Sequence, residues 1–100
     1  MKNIYSNLKE TFTRKMCGYC NLGQDWHAGI VTVEVIYGEE LIDHDDIKQM
    51  FNNIAGLHGI TEDIPNNIIK WFKDRQVKYV KCTYELGNVL NTKIEMEWSE

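Results

Sequence analysis

Alternating apolar residues near the middle of the chain constrain the fold most. Val31, Val33 and Val35 occupy every second position, and Tyr37 continues the series, while polar residues fall between them. Because successive side chains of a strand point to opposite faces, this pattern predicts a strand with one buried face. A half-buried strand needs neighbouring strands on its edges and an apolar layer over its buried face.

Apolar residues with helical spacing occur both before and after this strand in the sequence, and the predicted helices would supply the apolar layer. Apolar residues recur every four positions in the first segment, which predicts an N-terminal helix. A second helix over about residues 47–56 follows acidic residues that can cap it, and a third begins around residues 61–63 with Pro65 in its first turn. The apolar residues of the three segments are Ile4, Leu8, Phe12 and Met16; Ile47, Met50, Phe51 and Ile54; and Ile64, Ile68, Trp71 and Phe72.

The C-terminal third predicts a β-hairpin. Residues 77–85 are rich in β-forming side chains, Gly87-Asn88 is typical of a turn, and residues 90–98 alternate between apolar and charged. The predicted order is therefore α-β-α-α-β-β, an α+β fold in which helices pack on one face of a small antiparallel sheet. A length of 100 residues predicts a single domain, residues 1–100.

Composition narrows the class of protein. Hydrophobic residues make up 43% and charged residues 26% of the chain, which is typical of a globular domain and not of a disordered tail. The sequence contains neither the apolar core of a signal peptide nor a membrane-spanning segment, so we expect no membrane partner. The three cysteines are an odd number, which favours a reducing compartment, and the expected location is cytoplasmic.

Acidic residues cluster in one stretch. The net charge is −4, which argues against direct binding of nucleic acid. Six acids fall within residues 34–46 and predict a surface that binds a basic protein partner: Glu34, Glu39, Glu40, Asp43, Asp45 and Asp46. The alternative interpretation is a solvated helix start and turn. The main prediction is an acidic inhibitor that mimics nucleic-acid charge, either an immunity protein against a nuclease toxin or a phage-type inhibitor of a defence nuclease.

Catalytic and metal-binding motifs are weak by comparison. Cys17 and Cys20 form a C-x-x-C pair, but no second closely spaced pair of ligands follows it, and the acidic stretch lacks the spacing of a calcium loop. No catalytic triad, phosphate-binding glycine loop or paired carboxylates can be identified. The main prediction therefore includes no catalytic residue, no metal and no cofactor.

Four short stretches in order give the chain a resemblance over about residues 27–98. These are His27 leading into the valine strand, residues 41–48 (LIDHDDIK), residues 60–64 (ITEDI), and the strand that ends at Glu85. Together they resemble the 6-pyruvoyl/6-carboxy-tetrahydropterin synthase family. The resemblance implies the tunnelling fold of two strands, two helices and two strands, and an oligomeric pterin or purine enzyme as the alternative function.

The same resemblance implies a set of site residues. Zinc would be held by His27, Asp25 and Cys20, and Glu85 would anchor the pterin. The family's H-G-H reads Asp25-Trp26-His27 here, and its earlier ligand histidine and its L-D-H-x-x-L-N stretch are missing. Because a catalytic zinc needs several protein ligands, the sequence favours the non-catalytic binding protein.

Overall fold

Two strands, two helices and two further strands make up the described part of the chain. The computed structural model describes the backbone of residues 8–20, 25–56, 63–86 and 92–100, and the side chains of residues 8–16, 28–54, 63–86 and 93–100. The strands are β1 (Lys9–Cys20), β2 (Asp25–Ile36), β3 (Tyr79–Leu86) and β4 (Thr92–Ser99). The helices are α1 (His44–Gly56) and α2 (Asp63–Lys73).

The strands form one antiparallel sheet in the order β1-β2-β3-β4, and both helices lie on the same face of it. Helix α2 packs against β3 and β4, whereas α1 packs against β1 and α2. The prediction of an α+β fold, with helices on one face of a small antiparallel sheet, is confirmed. Neither described helix is long and apolar enough to cross a membrane.

The predicted N-terminal helix is wrong, because residues 9–20 form β1. Phe12 and Met16 are four residues apart, a spacing that returns a side chain to the same face in a strand as well as in a helix. Glu10 and Arg14 share this face of β1 and are charged, so a helical interpretation of the segment leaves them to solvent. In the fold they face α1 instead: Glu10 pairs with His44 at 2.8 Å, and Arg14 donates a hydrogen bond to Asn52 at 2.5 Å. Residues 1–7 of the predicted helix lie outside the described residues.

The valine strand and the two later helices form the core as predicted. Val31, Val33, Val35 and Tyr37 are fully buried beneath the helices. The apolar sides of both helices meet them, through Ile47, Met50, Phe51 and Ile54 of α1 and through Ile64, Ile68 and Phe72 of α2. Burying this apolar surface is the main term that stabilises the fold.

Helix boundaries follow local chemistry. The carboxylate of Asp43 accepts a hydrogen bond from the backbone N–H of Asp45 at 2.8 Å, which caps α1. Pro65 lies in the first turn of α2, where its missing N–H costs nothing. Residues 61 and 62, at the predicted start of this helix, lie outside the described residues, as does the Gly87-Asn88 turn. The two strands of the predicted C-terminal hairpin pair from Tyr79 with Ser99 to Leu86 with Thr92.

Candidate ligand-binding face

The face of the sheet opposite the helices, here called the open face, is built by every second residue of each strand. Register aligns these residues in rows across the four strands. One row contains Lys15, Ile30, Glu85 and Lys93 from β1 to β4, and we call it the Glu85 row. The adjacent row carries threonines on its first three strands, Thr13, Thr32 and Thr83, followed by Glu95.

Three of the four described carboxylates on the open face are engaged. Glu34 pairs with Lys9 at 3.6 Å, and Glu97 accepts a hydrogen bond from the Tyr79 hydroxyl at 3.0 Å. Glu95 pairs with Lys81 at 2.6 Å and with Lys93 at 3.7 Å. The pKa of Glu95 is lowered, first by its hydrogen bond to Lys81, so this carboxylate is held in its ionised, paired form.

Glu85 differs from the other three. It is exposed, and it has no ion pair or hydrogen bond with any side chain that the structure describes. Its direct neighbour on β4, Lys93, turns toward Glu95. Glu85, which the family resemblance implies as a ligand anchor, therefore has its carboxylate oxygens available to an external donor.

Ile30 gives the Glu85 row an apolar surface. It lies directly opposite Glu85 on β2, and 45% of its surface is exposed. An exposed isoleucine beside an unpaired carboxylate provides an apolar contact and a pair of hydrogen-bond acceptors, two elements that small-molecule sites combine. The described residues of this face contain no nucleophile arranged with a base.

The buried face supports this row from behind. Tyr84 is fully buried, and its hydroxyl donates a hydrogen bond to the backbone carbonyl of Met16 at 3.1 Å. The tyrosine ring crosses Gly29, where a Cβ atom would lie 2.4 Å from the ring and 2.6 Å from the backbone oxygen of Glu85. Gly29 therefore lets β3 reach across β2 to β1 at the level of the Glu85 row.

The positions of the predicted zinc ligands lie at the same end of the sheet as the Glu85 row, but they belong to the residues of β1 and β2 that alternate with those of the open face. The β1–β2 hairpin continues beyond β3, and in it Cys20 is the backbone partner of Asp25 and Gly18 that of His27. The side chains of Cys17, Cys20, Asp25 and His27 lie outside those described, so the zinc assignment stays a prediction. No group of potential metal ligands occurs among the side chains that are described.

The six acids of the predicted partner surface are divided between two sides of the molecule. Glu34 lies on the open face. Glu39 and Glu40 line a cavity that Lys73, Arg75 and Lys78 also line. Asp43, Asp45 and Asp46 lie at the start of α1, where negative charge interacts favourably with the helix dipole. Two of the six acids, Glu39 and Glu40, therefore lie near basic residues at and after the end of α2.

Sequence reasoning missed Ile30 and Lys15 as members of the same row as Glu85. Ile30 occupies one of the positions of the valine strand that alternate with the buried valines. An apolar residue among these mostly polar positions was the signal in the sequence that could have identified it. Lys15 could not be placed, because the segment around it was interpreted as a helix. Only the register of β1 against β2 brings Lys15 opposite Ile30.

Comparison with known proteins gives matches in structure alone. No family model and no curated protein matches the chain. An archaeosine synthase QueF-Like structure in the apo form matches with a TM-score of 0.66 and 15% identity over 90% of each chain. Dihydroneopterin aldolase from Burkholderia thailendensis, bound to guanine, matches with a TM-score of 0.69 and 11% identity over 97% of this chain and 96% of that one.

These matches overturn the main functional prediction. The neighbours are an archaeosine synthase and a dihydroneopterin aldolase, so the prediction of an immunity protein or nuclease inhibitor that acts through its acidic residues is wrong. They agree instead with the fold that the family resemblance implied. The chain has the tunnelling fold.

Proposed function

We propose that this chain is a tunnelling-fold protein of pterin or purine metabolism that binds its ring ligand on the open face, with Glu85 as the anchor. The observation that carries the proposal is the unpaired state of Glu85 among the described residues, on a face where the other described carboxylates are engaged. One structural neighbour of the chain is a dihydroneopterin aldolase bound to guanine, which supports the same ligand class.

The chemistry of the ligand fits a carboxylate. Guanine and pterin share an edge on which a ring N–H and an exocyclic amino group lie side by side, and both are donors. The two oxygens of a carboxylate accept two parallel hydrogen bonds from such an edge, and the charge makes them stronger than neutral ones. The exposed part of Ile30 would contact the ring beside that edge.

The enzyme class comes from the sequence resemblance to the synthase family. We place the activity with the 6-pyruvoyl/6-carboxy-tetrahydropterin synthase type of reaction. The imidazole of His27, the carboxylate of Asp25 and the thiolate of Cys20 are all donors that zinc accepts, and three protein ligands leave one position open. When bound, zinc would polarise a substrate oxygen or lower the pKa of a water.

Ligand titrations of the purified protein test the anchor. We expect guanine or pterin to bind the parent chain and to bind Glu85→Gln about tenfold or more weakly, because the amide presents a donor where the ligand also donates. The matched control is Glu34→Gln, which changes an engaged carboxylate on the same face and should leave the affinity unchanged. Equal affinity of Glu85→Gln and the parent chain would remove Glu85 as the anchor, and absence of binding to either ring would overturn the proposed function.

A further inference from the structure

A cavity of about 610 Å³ lies at the end of the sheet remote from the Glu85 row, and we call it the α2-end cavity. It is lined by residues that follow β2, by residues at and after the end of α2, and by the end of β4. Strand β3 begins near this cavity at Tyr79 and reaches Glu85 only near its other end, so the cavity is separate from the proposed ring-binding site. Its volume is within the range of about 300–1,000 Å³ that small-molecule sites have.

Charges of both signs line the α2-end cavity. Glu39 and Glu40 come from the segment after β2, and Lys73 and Arg75 come from the end of α2 and the turn after it. All four residues are exposed, and neither of these glutamates has an ion pair or hydrogen bond with a described side chain. On the open face, by contrast, neighbouring lysines and glutamates pair directly at 2.6–3.7 Å. The charges around the cavity therefore share one space without neutralising one another.

Aromatic rings hold the two cations in place. The ammonium group of Lys73 lies 5.6 Å from the centre of the Trp98 ring. The guanidinium group of Arg75 lies 3.7 Å from the centre of the Trp71 ring and donates a hydrogen bond to the backbone carbonyl of Trp71 at 3.0 Å. A ring attracts a cation without neutralising its charge, and each cation keeps N–H donors for a further acceptor. Both cations are therefore positioned by the fold and still able to bind a carboxylate.

Backbone contacts fix the walls of the cavity. A Cβ atom at Gly38 would lie 2.7 Å from the backbone oxygen of Gln76, so the segments after β2 and after α2 are in close contact. The backbone N–H of Lys78 donates to the carbonyl of Ile36 at 2.9 Å, and that of Glu100 donates to the carbonyl of Lys78 at 3.0 Å. Because these segments are already joined, little ordering is needed when a ligand binds, which favours affinity.

We propose that the α2-end cavity binds a small zwitterion, specifically a free α-amino acid. The ammonium group of the ligand pairs with Glu39 and Glu40, and its carboxylate pairs with Lys73 and Arg75. Both ends then form charge-assisted hydrogen bonds, which are stronger than neutral ones. Trp98 also lines the cavity and provides an apolar contact for the side chain of the amino acid. The inference goes beyond the proposed function, because it assigns a second class of ligand to a separate site.

Nuclear magnetic resonance titrations of the parent chain test the charge at each end of the ligand. L-Phenylalanine carries both charges, N-acetyl-L-phenylalanine only the carboxylate, and L-phenylalaninamide only the ammonium group. The same comparison with L-serine, its N-acetyl form and its amide tests a small polar side chain. We expect the amino acid to shift the amide signals of Gly38 and Gln76 and to bind about tenfold more tightly than either derivative, and added salt to weaken this binding.

Variants that remove one sign of charge at a time assign each end of the ligand. The double variant Glu39→Gln/Glu40→Gln should lose most of the preference for the amino acid over its N-acetyl form, because the ammonium group loses two carboxylate partners. Lys73→Met should reduce the preference over the amide, because one of two cations is lost. The matched controls are Asp45→Asn and Lys70→Met, which neutralise exposed residues of α1 and α2 that do not line this cavity and should keep the preferences of the parent chain.

The outcomes separate this inference from the proposed function. Equal affinity for the amino acids and their derivatives, or an equal loss of preference in the control variants, overturns the inference. Shifts confined to the open face, or no shift at Gly38 and Gln76 with about 10 mM of either amino acid, overturn it as well. All these results leave the proposed function in place, because guanine and pterin are expected on the open face. A preference in one series alone supports the inference and identifies the side chain that the cavity accepts.

Discussion

Replacement of Gly29 by alanine should destabilise the protein, because two neighbours occupy the space that a Cβ atom needs. That atom would lie 2.4 Å from the ring of Tyr84 and 2.6 Å from the backbone oxygen of Glu85. The ring is fully buried and is held at its far end by the hydrogen bond to Met16, so it cannot rotate away without losing that bond. The backbone oxygen can move only if the pairing of β2 with β3 is distorted.

The magnitude follows from two opposing effects. Added volume in a packed core costs about 1–3 kcal/mol, and the contact with backbone places this case near the upper end. Alanine also restricts the unfolded chain more than glycine does, which stabilises the folded state by about 0.4–1 kcal/mol. The clash is the larger effect, and we expect Gly29→Ala to lower the free energy of unfolding by about 2 kcal/mol.

Urea unfolding followed by far-ultraviolet circular dichroism measures this change. With an m-value of about 1 kcal/mol/M, the midpoint should fall by about 2 M while m stays the same. The control is Ala28→Ser at the exposed neighbouring position, where we expect a change of less than about 0.5 kcal/mol. A midpoint for Gly29→Ala equal to that of the parent chain would show that the close approach of Tyr84 is not present in the folded protein.

Three further changes test other contacts. Tyr84→Phe removes the donor to the Met16 carbonyl and should lower the free energy of unfolding by about 1 kcal/mol in the same urea assay. Gln76 has a φ of 61°, a conformation that favours glycine. Gln76→Gly should therefore raise the free energy of unfolding by about 0.5 kcal/mol, which the same assay detects as a higher urea midpoint. Burial raises the pKa of the Cys82 thiol from 9.0 to about 12, so the folded state holds this proton more tightly than the unfolded state does. The protonated thiol therefore contributes its full stability below pH 9, and the free energy of unfolding falls by about 1.4 kcal/mol per pH unit above pH 9. Cys82→Val lacks this thiol, so its free energy of unfolding should fall less than that of the parent chain between pH 8 and pH 10.

The core could be predicted from the sequence because its residues follow a single repeat. The alternating valines fit only a strand, and the apolar residues of α1 and α2 fit only a helix. The first segment fits both repeats, since Phe12 and Met16 lie four residues apart. Its charged residues at Glu10 and Arg14 then favoured a helix, because their partners on α1 are distant in sequence and cannot be identified from spacing alone.

The candidate site could be predicted only in part, for a related reason. Glu85, at the end of a β-rich stretch, was implied by the family resemblance, and its role as an anchor stays a prediction. Its lack of a partner depends on Lys93 turning to Glu95, which only the paired strands reveal. The acidic stretch led to the wrong function because sequence separation concealed that Glu39 and Glu40 lie beside Lys73 and Arg75. A run of acidic residues in the sequence was interpreted as an acidic surface of the protein. In the fold, basic residues from a distant segment lie beside part of that run.

Glu85 takes part in both the packing of the sheet and the candidate site, so the stability and the binding of its variants must be interpreted together. The backbone of Glu85 limits the space at Gly29, whereas its carboxylate is exposed and free of described partners. Glu85→Gln therefore changes ligand contacts without a change in packing, and we expect its urea midpoint to equal that of the parent chain. Gly29→Ala leaves the carboxylate in place but shifts the strand that carries it, so it should weaken both folding and binding. If Glu85→Gln lost as much stability as Gly29→Ala, its weaker binding would reflect a disturbed sheet, and the carboxylate would no longer be the reason that the ring binds.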